Sequence, residues 1–191
     1  MSETRRGRPR SFDPQVALKK ASDVFRTSGY ASTSLDDIVR ATGLNRPSLY
    51  AAFGDKKSLY VAAIERLWAA IAAQFDALEA RDLPLEDSLR AMLTGSIEAY
   101  LAGDRPKGCL AICTAATEAV NDEDIRDALA KVLAMMDERI AGFFARAGDN
   151  RAQAKALLVA GVMHSMSIRA RAGAPRAQLQ AMADEAVSRL G

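Results

Sequence analysis

Apolar residues recur every third or fourth position along almost the whole of this chain, and no stretch alternates apolar and polar residues as a half-buried strand would. The period predicts helices over residues 14–28, 34–42, 45–53, 55–80, 85–102, 109–120, 124–146, 151–171 and 176–190. Turn residues stand between them: Gly29, Gly43, Gly54, the stretch from Arg81 to Pro84, Asp104 to Gly108, Gly148 to Asn150, and Ala172 to Pro175. The fold class is therefore all-α. The helix ends carry their own chemistry. Ser34 stands three residues before Asp37, the spacing at which each side chain caps the other's backbone amide. Gly43 sits where a left-handed residue ends a helix, Asn45 caps the next one, and Pro47 is tolerated in a first turn whose amides have no partner anyway.

Two short helices joined by that four-residue turn form a helix-turn-helix. Leu35, Ile38, Val39 and Ala41 give the first helix a buried stripe. In the second, Leu49 and Phe53 point inward together, which leaves Arg46, Ser48, Tyr50 and Ala51 outward. Eight residues are too few for a stable isolated helix, so this one must lean on neighbours while presenting its outer face to a groove.

The ordered set Leu18, Ala21, Phe25, Gly29-Tyr30, Ser34 to Ile38, Gly43, Leu49-Tyr50, Phe53-Gly54, Lys56 and Leu59 is similar to the TetR family of bacterial transcriptional regulators. The likeness spans roughly residues 8 to 68. Lys57 departs from it, since the family more often carries Glu there. The resemblance implies a three-helix DNA-binding domain, here residues 1–60 with an N-terminal arm, followed by a larger helical effector-binding and dimerisation domain, residues 61–191. It also implies that the tyrosine matched by Tyr50 contacts a phosphate, and that the last two helices form a four-helix bundle with a second copy.

Charge supports this division. The net charge is only +2, yet residues 1–60 hold eleven Lys or Arg against six Asp or Glu, and the remainder is acidic on balance. The DNA-binding residues expected are Ser34, Arg46, Pro47, Ser48, Tyr50, Ala51, Lys56 and Lys57, with Arg8 and Arg10 in a basic arm suited to the minor groove. Lys56 and Lys57 occupy the first turn of a helix, where the dipole disfavours cations, and a docked phosphate would compensate.

Trp68, Phe75, Met92, Tyr100, Cys109, Cys113 and Phe143, with Met135 and Met136, are the candidates for an effector pocket. Ala160, Gly161, His164 and Met182 are the candidates for a dimer interface, because small residues let helices approach closely. Cys109 and Cys113, four apart, do not suit a disulfide on an intact helix. With a single histidine in the chain they complete no metal site. Most simply they pack; alternatively Cys109, after Lys107-Gly108 at a helix start, has a favoured thiolate that senses an oxidant or electrophile.

No catalytic constellation, metal or cofactor is expected, and no signal peptide or membrane span, so the reading is a soluble cytoplasmic protein that is not an enzyme. The expected function is a homodimeric, sequence-specific transcriptional regulator. It would act as a repressor that a small effector releases from a pseudo-palindromic operator in double-stranded DNA. An activator, or an architectural DNA-binding protein without an effector, would share the basic end.

Overall fold

A computed structural model describes residues 12–191, and its regular elements are helical throughout. The order is α1 (Pro14–Ser28), α2 (Leu35–Thr42), α3 (Arg46–Phe53), α4 (Lys56–Glu79), α5 (Leu85–Leu101), a π turn (Ala111–Ala115) running into α6 (Ala116–Glu118), α7 (Glu123–Arg146), α8 (Ala152–Arg171) and α9 (Arg176–Leu190). Arg8 and Arg10 lie outside the described residues.

The caps form as their chemistry requires. Ser34 N–H donates to Asp37 Oδ2 at 2.9 Å and Asp37 N–H to Ser34 Oγ at 3.2 Å. Asn45 Oδ1 accepts from Ser48 N–H at 2.9 Å, and Asp55 Oδ1 from Ser58 N–H at 2.7 Å. Gly43 closes α2 at φ 76°, in the left-handed region that its lack of a Cβ permits. These caps make the short helices pH-sensitive. Hydrogen bonds from the Ser34 hydroxyl and amide hold the Asp37 carboxyl below its usual 3.8, and the Ser58 amide does the same for Asp55. A carboxyl lowered in the folded state adds stability that is complete above the unfolded value and is lost as pH falls through the lowered one. Thermal melts should therefore fall steeply below about pH 4 in the parent, whereas Asp37→Asn should flatten that acid limb.

One contiguous apolar core runs from Leu18, Phe25, Ile38 and Leu49 through Tyr60 and Ile64 to Leu93, Ile140, Phe144, Met166 and Leu179. Helix α4 joins its two ends. It packs on α1 and α3 and also on α5 and α7. Helix α8 lies against α7, α5 and α9, and α9 also packs on α5.

The segment expected as a regular helix over residues 109–120 is instead a π turn followed by a single short α-helical turn. Ala116 N–H reaches back to Ala111 O, so one residue more than usual is enclosed. Tertiary contacts accompany it: the Thr114 hydroxyl, which donates to Leu110 O one turn back at 2.7 Å, meets the Tyr60 hydroxyl at 2.6 Å, and Cys113 Sγ sits 3.3 Å from Ser167 Oγ.

Candidate functional site

Helix α3 projects its first turn away from the core. Leu49 is buried and Phe53 half-buried, while Arg46, Pro47, Tyr50 and Ala51 are exposed and Ser48 is half-buried at the rim. Tyr50, large and part apolar, is 48% exposed among the described residues. Arg46 is held ready by a forked ion pair, with Nη2 at 2.9 Å from both carboxylate oxygens of Asp36 on α2. Ser34, at the start of α2, is exposed, and its hydroxyl is shared with Asp37.

The two lysines at the head of α4 part company. Lys56 Nζ lies 4.3 Å above the Tyr30 ring and has no carboxylate partner among the described residues, so its charge remains available. Lys57 reaches the other way, onto Asp124 and, at 3.6 Å, Asp122 at the start of α7. Those carboxylates hold its ammonium above the ordinary lysine value. Lys57 is thus tied to α7 within the subunit, and its acidic partners lie too far along the chain to be read from local sequence.

Behind this surface, Phe25, Tyr30 and Tyr60 form an aromatic cluster, with the Tyr60 ring 4.9 Å from each of the other two. Burial pushes the Tyr60 hydroxyl up to about 12, against a smaller opposite effect of its bond to Thr114. It is thus a neutral hydrogen-bonding group at every physiological pH.

Next to the cluster, a cavity of about 440 Å³ opens between α1, α4, α5, α7, α8 and the chain leading into the π turn. Of the expected pocket residues, Phe75, Met92, Tyr100, Cys109 and Met136 line it. Trp68, Cys113, Phe143 and Met135 do not. Trp68 is 41% exposed on the outer side of α4, a third of a turn from the cavity-lining Leu67. Phe143 stacks behind Phe75 with ring centroids 6.0 Å apart, and the π turn aims Cys113 at Ser167. Cys109 also departs from the thiolate reading: burial pushes its thiol up, outweighing the amides of Ile112 and Ala111 that would favour the anion.

The dimer candidates divide as well. Ala160 is 2% exposed, packed inside the subunit. Met182 is half-buried against the subunit's own core. His164 lines the cavity, with Nε2 buried and unpartnered among the described residues, and burial lowers its basicity so that the ring is neutral near pH 7. Gly161 alone faces open space, flanked on α8 by Leu157, Leu158 and Ile168, which are 53%, 59% and 56% exposed.

Four residues with no sequence signal tie the cavity to α1 and α4: Arg26, Tyr60, Thr114 and Arg171. Arg26 Nε donates to Gly108 O at 2.7 Å, and its Nη2 donates to Ala99 O. Arg171, from the end of α8, donates to Arg26 O at 2.8 Å, Lys107 O at 3.2 Å and Thr27 O at 3.3 Å. The Tyr60–Thr114 bond completes the set.

Comparison with known proteins adds the following. A family model, bacterial regulatory proteins of the tetR family, matches residues 17–63, which take in α2, α3 and the turn between them. The HTH-type transcriptional repressor ComR of Escherichia coli (strain K12) is 34% identical over 139 residues, 72% of this chain and 66% of ComR's own length. The HTH-type transcriptional repressor BdcR of the same strain is 29% identical over 186 residues, 95% of this chain and 92% of BdcR. A cysteine mutant of the TetR family transcriptional regulator CifR, complexed with 26-bp double-strand operator DNA, superposes with a TM-score of 0.85 at 28% identity. That match covers 97% of this chain and 100% of CifR. Among the described residues no helix is long and apolar enough to cross a membrane.

Proposed function

From the premise that the chain belongs to the TetR family of DNA-binding transcriptional regulators, we propose that it is a homodimeric repressor released from its operator by a small effector. Residues 1–60 grip DNA in the cytoplasm; residues 61–191 bind the effector and hold the dimer. The observation that carries this reading is the exposed face of α3, where Arg46, Tyr50 and Ala51 stand clear of a continuous core with Ser48 half-buried beside them. A helix so presented fits the major groove, with Arg46 on a base edge or phosphate and Tyr50, Lys56 and the hydroxyl of Ser34 on the backbone. Pro47 lies beside them in the first turn and shapes the approach.

Release follows from the ties around the cavity. A ligand that displaces the wall at Gly108–Leu110 pulls on α1 through Arg26 and on α4 through Thr114 and Tyr60. Movement of α4 alters the separation of the two recognition helices, which must enter grooves one helical turn or a multiple apart. The operator is accordingly a pseudo-palindrome.

Arg46→Ala and Tyr50→Phe should each weaken operator binding by roughly 1–3 kcal/mol while leaving the dimer intact. Fluorescence anisotropy on a duplex selected from genomic fragments measures the first, and sedimentation the second. Unchanged affinity in both variants overturns the assignment.

A further inference from the structure

The cavity carries an uneven charge. Three guanidiniums line it, Arg26, Arg66 and Arg81, against a single carboxylate, Asp23. Arg66 is half-buried and makes neither a hydrogen bond nor an ion pair among the described residues. Arg26 spends Nε and Nη2 on the backbone carbonyls of Gly108 and Ala99, dipoles that orient the group but do not neutralise it. Asp23, one turn before Arg26, is exposed and pairs with neither. The rest of the lining is mainly apolar, with Leu67, Ile71, Phe75, Met92, Met136 and Met163 beside the polar Ser22, Gln74 and Ser96.

Resting on the reading that the cavity holds the effector, we infer that this effector is a small amphipathic anion, an apolar body ending in one carboxylate or phosphate head seated between Arg26 and Arg66. A half-buried guanidinium without a counter-charge keeps its forked donors open to a ligand, and a carboxylate or phosphate oxygen pair is the chemistry that matches them. A cationic ligand would meet two like charges; a neutral one would leave both guanidiniums unpaired. The apolar wall takes the body, and the volume of about 440 Å³ suits a molecule of drug size. The buried Nε2 of His164 adds one hydrogen-bonding point along that body. The same anion explains release, because a head on Arg26 competes with Gly108 O and Ala99 O for its donors.

The test is calorimetric titration of the full-length protein with decanoate, decyl phosphate, decanol and decyltrimethylammonium, each below its micelle concentration. Decanoate or decyl phosphate should bind at least about tenfold tighter than decanol, with the cation weakest, and the tighter anion identifies the head. Arg66→Gln, remote from every hydrogen bond that holds the fold, should bring that anion down to decanol's affinity and leave decanol unchanged. Decanol or the cation binding as tightly as both anions, or an Arg66→Gln variant indistinguishable from the parent, overturns the anionic head and leaves the cavity reading standing. Met136→Trp should fill the cavity and abolish binding of all four. Binding that survives this variant, or no binding of any probe to the parent, overturns both.

Discussion

Gly108→Ala should destabilise the fold by roughly 2–6 kcal/mol, a loss composed of backbone strain and overpacking. Gly108 adopts φ +65°, where a Cβ is strained whatever the space around it. There is also no space: a Cβ built there lies 2.6 Å from Cys113 Sγ and 2.6 Å from the backbone oxygen of Ser167. The sulfur has some freedom, but the carbonyl belongs to α8 and cannot retreat without moving the helix. Gly29→Ala supplies the comparison. Gly29 has φ +83° and ψ 171°, a combination almost confined to glycine, with nothing within 4 Å of the added carbon, so it should cost only the strain, about 1–3 kcal/mol. Circular-dichroism melts of both variants separate the two contributions, and equal melting temperatures would refute the close packing of α8 on this segment. Operator release should suffer too, because Gly108 O is the group that Arg26 holds.

Gly161→Arg should leave the subunit folded and abolish the dimer, lowering operator affinity by about a thousandfold or more, since one half-site supplies little beyond non-specific attraction. A Cβ at Gly161 meets nothing within the subunit, and replacing a mid-helix glycine adds helical propensity. The exposed Leu157, Leu158 and Ile168 on the same helix are an apolar face that a partner's matching face would bury under two-fold symmetry. Sedimentation and anisotropy read the two losses together. A variant that remains dimeric and bound to operator would move the interface off α8.

The two predictions differ in how far the sequence foretold them. Helix ends were legible because their chemistry is local: Ser34 with Asp37, Asn45 with Ser48, and Gly43 at a left-handed turn each act over three or four residues. Ala160 and Gly161 were both candidates on small size alone; which of them is exposed depends on which side of α8 faces the subunit's own core, and small residues on both sides leave that undetermined. Tyr60 was missed because it lies one position off the apolar stripe of α4 that Leu59 and Ala63 begin; α4 is covered on two sides near its start, so a second face is buried there. Trp68 misled for the converse reason, since size suggested burial while its position put it outside. The π turn depends on partners at residues 60 and 167, and no pattern within residues 109–120 distinguishes it from an α-helix.

The tie between α1 and the cavity wall is made by a guanidinium, and that choice determines what can undo it. Arg26 donates from one rigid planar fork, so the two carbonyls that accept from it, at the end of α5 and in the chain entering the π turn, are held at a fixed spacing. Its bonds to Gly108 O and Ala99 O end only by displacement, when something competes for the donors or moves the carbonyls. A joint of that kind is opened by a competing acceptor in the neighbouring cavity or by movement of its wall, which ties the position of α1 to the state of the space beside it.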